Sequence, residues 1–115
     1  MGMDSVLLVL LLSAFTASAG QASWYGEDHR GKLMANGRPF DPSKLTCASW
    51  FYPFGTRLTV THKGKSVSVV CTDRGPNKRL VRKGRTIDLS EAAFARLADR
   101  RLGLIKVTVN YGKRN

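Results

Sequence analysis

Two loop aspartates are the groups in this 115-residue chain whose type and placement fit proton chemistry. Asp73 follows the apolar run Ser66 to Cys71 (SVSVVC) and opens the turn Thr72-Asp73-Arg74-Gly75-Pro76. It therefore stands at a strand end, half out of water, where a carboxyl can give up and take back a proton. Its competing role is to accept backbone amides of its own turn. Asp41, in Phe40-Asp41-Pro42, could orient hydroxyls of a ligand or support the first acid; an Asp-Pro turn is the plainer reading. Asp88, embedded between Ile87 and Leu89, reads as structural, satisfying buried backbone amides near a chain crossing or the following helix. His29 and His62 share no motif with these acids and read as exposed.

Cys47 and Cys71 are the only cysteines, and no His/Cys cluster with ligand spacing accompanies them. In an exported chain an even pair favours one disulfide over a metal site. Such a bridge would contribute about 3 kcal/mol in the chain-entropy model. Two reduced, buried thiols are the alternative. No metal or other cofactor is called for.

The N-terminus speaks to compartment. An apolar run from Val6 to Leu12 is followed by Ala17-Ser18-Ala19, a small-x-small pattern that places a signal-peptide cut after Ala19. The run is far shorter than the ~20 residues that span a bilayer, so no stable membrane anchor is expected. No cysteine follows the small residues, so lipidation there is not expected either. Cutting after Ala19 leaves residues 20–115 as one domain, with 19 basic residues against seven acidic ones. So basic a domain suits an acidic polymer. Export disfavours nucleic acid as the target.

The elements that must position these groups are short. Gln21 to Tyr25 reads as a strand, and Gly26 to Leu45, with Asn36-Gly37 and Asp41-Pro42, as a long surface loop of the kind that carries function. Thr56 to His62 and Ser66 to Cys71 form a hairpin across Lys63-Gly64-Lys65. A second loop spans Thr72 to Gly84. Thr86 to Leu89 is a short strand, Ser90 caps a helix over Glu91 to Ala98, and Leu104 to Tyr111 closes the chain as a strand. Five or six short strands and one short helix make this a mostly all-β small barrel, not a doubly wound sheet.

Seven pieces occur in order: Ala22-Ser23-Trp24-Tyr25-Gly26, Ala35-Asn36-Gly37, Phe40-Asp41, Leu45-Thr46, Pro53-Phe54-Gly55-Thr56, Thr72-Asp73-Arg74-Gly75-Pro76 and Ile87-Asp88-Leu89-Ser90. Together they resemble the rare lipoprotein A family of bacterial cell-wall proteins, over roughly Ala22 to Val109. The resemblance implies a six-stranded double-psi β-barrel, akin to the first domain of expansins and to barwin-like proteins. It also implies action on peptidoglycan glycan strands as a lytic transglycosylase, a lyase that leaves 1,6-anhydromuramyl ends, working in the periplasm or envelope as a monomer, with cell-division or wall-synthesis proteins as further partners.

In that setting Asp73 is the catalytic acid and base, assisted by Asp41. Asn36, Arg38, Ser49, Trp24, Tyr25, Trp50 and Arg74 are the expected contacts to substrate. Two positions depart from the family pattern: Arg38 stands where competent relatives carry glutamate, and Ser49 where they carry histidine. Guanidinium stays protonated near neutral pH and cannot transfer a proton, though it can pair with a substrate carboxylate. The rival expectation is therefore an expansin-like wall-binding module without turnover, and a third is a barwin-like inhibitor that binds a protein partner.

Overall fold

The computed structural model describes residues 15–112, and the apolar run of the expected leader lies outside them. Six strands carry the fold: β1 (Phe15–Tyr25), β2 (Thr46–Ala48), β3 (Arg57–His62), β4 (Lys65–Asp73), β5 (Arg85–Ser90) and β6 (Ile105–Gly112). They close a barrel in the order β1-β5-β2-β4-β3-β6. Two of the six pairings, β1 with β5 and β2 with β4, are parallel. The rest are antiparallel.

Alternation fills this barrel. Leu58 and Val60 of β3, Val67, Val69 and Cys71 of β4, and Ile105, Val107 and Val109 of β6 are buried, while Thr59, Ser68, Lys106 and Thr108 between them face out. The expected hairpin is present, its two-residue turn made by Lys63 (φ 46°) and Gly64 (φ 82°). Positive φ at both positions matches the right-handed twist of the flanking strands.

Two short helices are present where one was expected. Helix α1 (Lys78–Arg82) lies in the second loop, its first turn capped by the Asn77 side chain, which accepts from the Arg79 amide at 2.8 Å. Helix α2 (Glu91–Ala95) ends three residues sooner than the expected Ala98. Ser90 caps it as expected, accepting from the Ala93 amide, and also donates to the Lys44 carbonyl at 2.6 Å. Phe94 and Leu97 bury completely or nearly so and plug the core.

β1 is longer than expected, running back from Gln21 to Phe15 and pairing with β6 from Phe15↔Gly112 to Ala22↔Ile105. The Ala19-Gly20 bond thus lies inside a strand. β2, three residues just past the expected loop and assigned to no element from sequence, is sandwiched between β4 and β5.

Candidate functional site

Strand pairing sets four residues in one row across the barrel wall: Ser23 on β1 pairs with Asp88 on β5, Asp88 with Ala48 on β2, and Ala48 with Asp73 on β4. The two aspartates flank Ala48, about 10 Å apart at their backbones by two strand spacings. Gly75 closes over this row. A Cβ at that glycine would stand 3.3 Å from Asp88 Oδ2 and 3.4 Å from the Ala48 Cβ, and its φ of 155° belongs to the region that favours glycine. Asp88 accepts from the Ser23 hydroxyl and, at 3.2 Å, from Arg85 Nη2. Its partners are side chains, not the backbone amides expected from sequence.

Asp73 is half-buried and its two oxygens have different surroundings. Oδ1 accepts the Arg74 amide of its own turn at 2.8 Å and the Ala35 amide of the long loop at 2.8 Å. The neighbouring Asn36 amide donates to the Thr72 carbonyl at 3.3 Å. These bonds dock the Asn36-Gly37 tip onto the end of β4, beside the acid. Among the described residues Oδ2 has one hydrogen-bond partner, the Tyr25 hydroxyl, at 3.5 Å. Tyr25 lies stacked on Phe40, centroids 4.3 Å apart, with His29 edge-on at 5.6 Å. Burial, then the Asp73 carboxylate, push the Tyr25 phenol well above its usual range. It stays protonated and can donate to Oδ2.

The remaining expected site residues divide. Asn36 is at the site, its Oδ1 accepting the Arg38 amide, and Arg38 is exposed next to it. Asp41 shares no contact with Asp73. It accepts the Ser43 amide at 2.9 Å and hydroxyl at 2.7 Å, with Arg30 Nη1 3.6 Å away, and Ser43 chiefly holds its carboxyl below the usual range. These contacts make Asp41 the acceptor of its own Asp41-Pro42-Ser43 turn. Ser49 is buried with its Oγ accepting the Phe51 amide, so its hydroxyl is spent within its own turn.

Arg74 serves its own chain. Its Nη1 donates to the carbonyls of Ser49 and Tyr52, both at 2.9 Å, and its guanidinium lies over Phe54 at 3.9 Å. Trp50 is exposed, donates through Nε1 to the Pro76 carbonyl, and carries Lys78 Nζ at 4.7 Å from its ring. Phe54, also exposed and covered by the Arg74 guanidinium, flanks the same Asp73 turn, while Phe51 faces a different hollow lined by Ser18, Ala19 and Thr86. Trp24 packs against the core near Phe94 and donates to the Arg100 carbonyl, away from Asp73.

Cys47 and Cys71 are both free, not bridged as expected, and both fully buried as direct partners on β2 and β4. The neighbouring Cys47 thiol, with Arg74 Nη1 3.5 Å from the sulfur, holds the Cys71 thiol down, while Cys71 and burial push Cys47 up. Among the described residues no group of three or more His, Cys, Asp and Glu side chains converges as a metal site would require. No described helix is long and apolar enough to cross a membrane.

Residues 17–109 match the model of a family described as lytic transglycolase. A probable endolytic peptidoglycan transglycosylase RlpA of Synechocystis sp. is 41% identical over 100 residues, which are 79% of this chain and 30% of that protein. The endolytic peptidoglycan transglycosylase RlpA of Vibrio cholerae is 38% identical over 97 residues, 83% and 35% of the two chains. The chain thus spans about a third of these relatives' length. Among solved structures, the Streptomyces papain inhibitor aligns with a TM-score of 0.68 at 27% identity over 85% of this chain and 96% of its own. An expansin of Clavibacter michiganensis aligns with 0.65 at 24% identity over 87% and 52%, a likeness of fold alone. The barrel with its two parallel pairs and the ordered motifs thus have one explanation: this chain belongs to the lytic transglycolase family of rare lipoprotein A-like double-psi β-barrels.

Proposed function

We propose that the domain is a peptidoglycan lytic transglycosylase in which Asp73 alone is acid and base. The observation that supports this is the asymmetry of its carboxyl: Oδ1 is fixed by two amides, while Oδ2 keeps a single long contact to a phenol. Oδ2 is then the oxygen that works. Protonated, it gives its proton to the glycosidic oxygen as the bond from the anomeric carbon breaks. As carboxylate it then takes the proton of the C6 hydroxyl, which closes the 1,6-anhydro ring on that carbon, so no water enters. Ordinary glycosidases need a second carboxylate for nucleophile or water, and Asp88, tied to Ser23 and Arg85, is not required for this route. The Asn36 tip and the Trp50 flank would position glycan, with Arg38 paired to a substrate carboxylate.

The test is incubation of the protein with purified sacculi and peptide-free glycan strands, followed by analysis for anhydromuramyl products. Release that Asp73→Asn abolishes supports the reading; no release from the wild type, or undiminished release by the variant, removes it. One observation favours the second reading, a wall-binding module without turnover. With Ser49 buried and Arg38 cationic, Tyr25 is the one titratable side chain hydrogen-bonded to Asp73 among the described residues. That reading predicts pelleting with sacculi and no product.

Action on the wall requires export into the periplasm or envelope, here through a leader whose cut after Ala19 would leave β1 to begin at Gly20, as a monomer with division or wall-synthesis proteins as further partners. In an oxidising compartment the in-register thiols of Cys47 and Cys71 would join, since partners on adjacent strands fall within the Cα span of a disulfide.

A further inference from the structure

The basic charge of this chain is unevenly spread. Among the described residues every ion pair uses an arginine, and the acids engaged are Glu27, Asp41, Asp88, Glu91 and Asp99. None engages a lysine. Three lysines, Lys63 from the β3–β4 turn, Lys83 from the α1–β5 turn and Lys106 from β6, line one concavity of about 620 Å³ on the outer wall, with His62, Gln21 and Thr61. No acidic residue lines it among the described residues.

Three structural details shape this concavity. The register of β1 against β5 shifts between Gln21 and Ala22, and the Gln21 amide donates to the Gly84 carbonyl at 2.8 Å, which anchors the Lys83-Gly84 corner beside β1. The His62 ring is fixed by Nδ1 donating to the Lys106 carbonyl at 2.7 Å, leaving Nε2 as its remaining polar atom. Lys63 holds φ at 46°, a conformation that Asn or Gly adopts with less strain. A lysine kept there puts an ammonium at the turn's tip.

We infer that this concavity binds phosphate groups carried by a polyol or glycan chain. Lysine ammoniums bind phosphate as point charges and need no fixed approach, whereas the planar fork of arginine, which grips carboxylate and phosphate alike, is absent from the described lining; the preference for phosphate over carboxylate is what titration with polyglutamate tests. Among the described residues no Phe, Tyr or Trp ring lines it, and its one imidazole, His62, is tied to the Lys106 carbonyl, so the row of aromatic platforms that sequence-tolerant single-strand nucleic-acid sites rely on is missing. The site is separate from Asp73. Along β4 from Lys65, next to the turn, to Asp73 the strand rises about 26 Å. A phosphopolymer held here would keep the domain at a polymer-bearing surface while the distant face engages another chain, raising the local concentration of the second partner.

The full chain is titrated at fixed, low ionic strength with poly(glycerol phosphate), polyglutamate, inorganic phosphate and a single-stranded DNA oligonucleotide. The expected order has poly(glycerol phosphate) tightest. Replacing the three lysines together (Lys63→Asn, Lys83→Gln, Lys106→Gln) should weaken it at least about tenfold, with Lys63→Asn chosen because Asn tolerates positive φ. Removing equal charge elsewhere (Lys32→Gln, Lys44→Gln, Arg96→Gln) should change it less than about twofold. The three single variants, each checked by thermal melting, repeat the test if the triple variant folds poorly, and each should weaken binding while Lys32→Gln does not. Competition by inorganic phosphate would identify isolated phosphate groups as sufficient; no competition would identify the polymer as the required form. Equal losses for the two triple variants, polyglutamate binding as tightly, or DNA binding more tightly would each overturn the inference.

Discussion

Arg74 separates two accounts of the same residue, and replacing it with methionine decides between them. The side chain is half-buried, and its Nη1 donates to the carbonyls of Ser49 and Tyr52 at 2.9 Å while the guanidinium covers Phe54. Hydrogen bonds from a charged donor contribute about 1.5–3 kcal/mol each. Allowing for partial exposure, losing both should cost about 3 kcal/mol, since methionine keeps the apolar stem but leaves two carbonyls without a donor. For a domain of this size, with m of about 1.3 kcal/mol per molar urea, the unfolding midpoint should fall by about 2 M. Urea titration followed by tryptophan fluorescence reads this directly. Wall binding should weaken only as far as the Ser49–Tyr52 segment is displaced. A midpoint within about 0.3 M of the wild type, together with lost binding to sacculi, would refute the clasp and return Arg74 to the role of a substrate contact.

Three further outcomes follow from other places in the fold. Chain recovered from an oxidising compartment should be lighter than its reduced form by two hydrogens, with one Cys47–Cys71 linked peptide in the mass map; two alkylatable thiols after unfolding would rule that out. Gly20→Ala should destabilise by about 1–3 kcal/mol, because the added Cβ would meet Thr86 Oγ1 and approach its Cγ2 to 3.1 Å. Combining it with Thr86→Ala should recover most of that loss, as a double-mutant cycle by thermal melting would show. Asp41, depressed chiefly by its Ser43 contacts, adds stability that is full above the ordinary aspartate range and fades as pH falls through its lowered value. The stability gap between wild type and Asp41→Asn should therefore close only at strongly acidic pH, and a gap already lost in mild acid, or one that persists through the strongly acidic range, would contradict the contact.

Where structure follows from local pattern, the sequence reveals it. The β3–β4 hairpin is written in alternating Leu58, Val60, Val67 and Val69 around Lys63-Gly64, β6 in Ile105, Val107 and Val109, and the α2 cap in Ser90. β2 is not written locally: three residues become a strand only because β4 and β5 lie on either side. Helix α1 has no apolar stripe to announce it, only a cap at Asn77 and a run of basic residues. At the site, the placing of Asp73 at a strand end was legible, but its partners were not. Ala35 and Tyr25 reach it from 38 and 48 positions away, and the row from Ser23 to Asp73 depends on parallel registers that no short window encodes. Asp41 and Asp73 share a motif order but, among the described residues, no hydrogen bond, because the loop ties Asp41 to Ser43 two positions on.

The row Ser23–Asp88–Ala48–Asp73 also bears on when the site comes into being. Its hydrogen-bonded and paired members are drawn from segments separated by as many as 65 positions, and each parallel pairing must bring distant chain together before it is rewarded. Local contacts such as the β3–β4 hairpin can form early, whereas the arrangement around Asp73 requires nearly the whole ring of strands. A half-folded chain therefore carries Asp73 without Tyr25, Ala35 or the covering Gly75 turn. Whatever chemistry this centre carries, it carries only as a property of the finished fold.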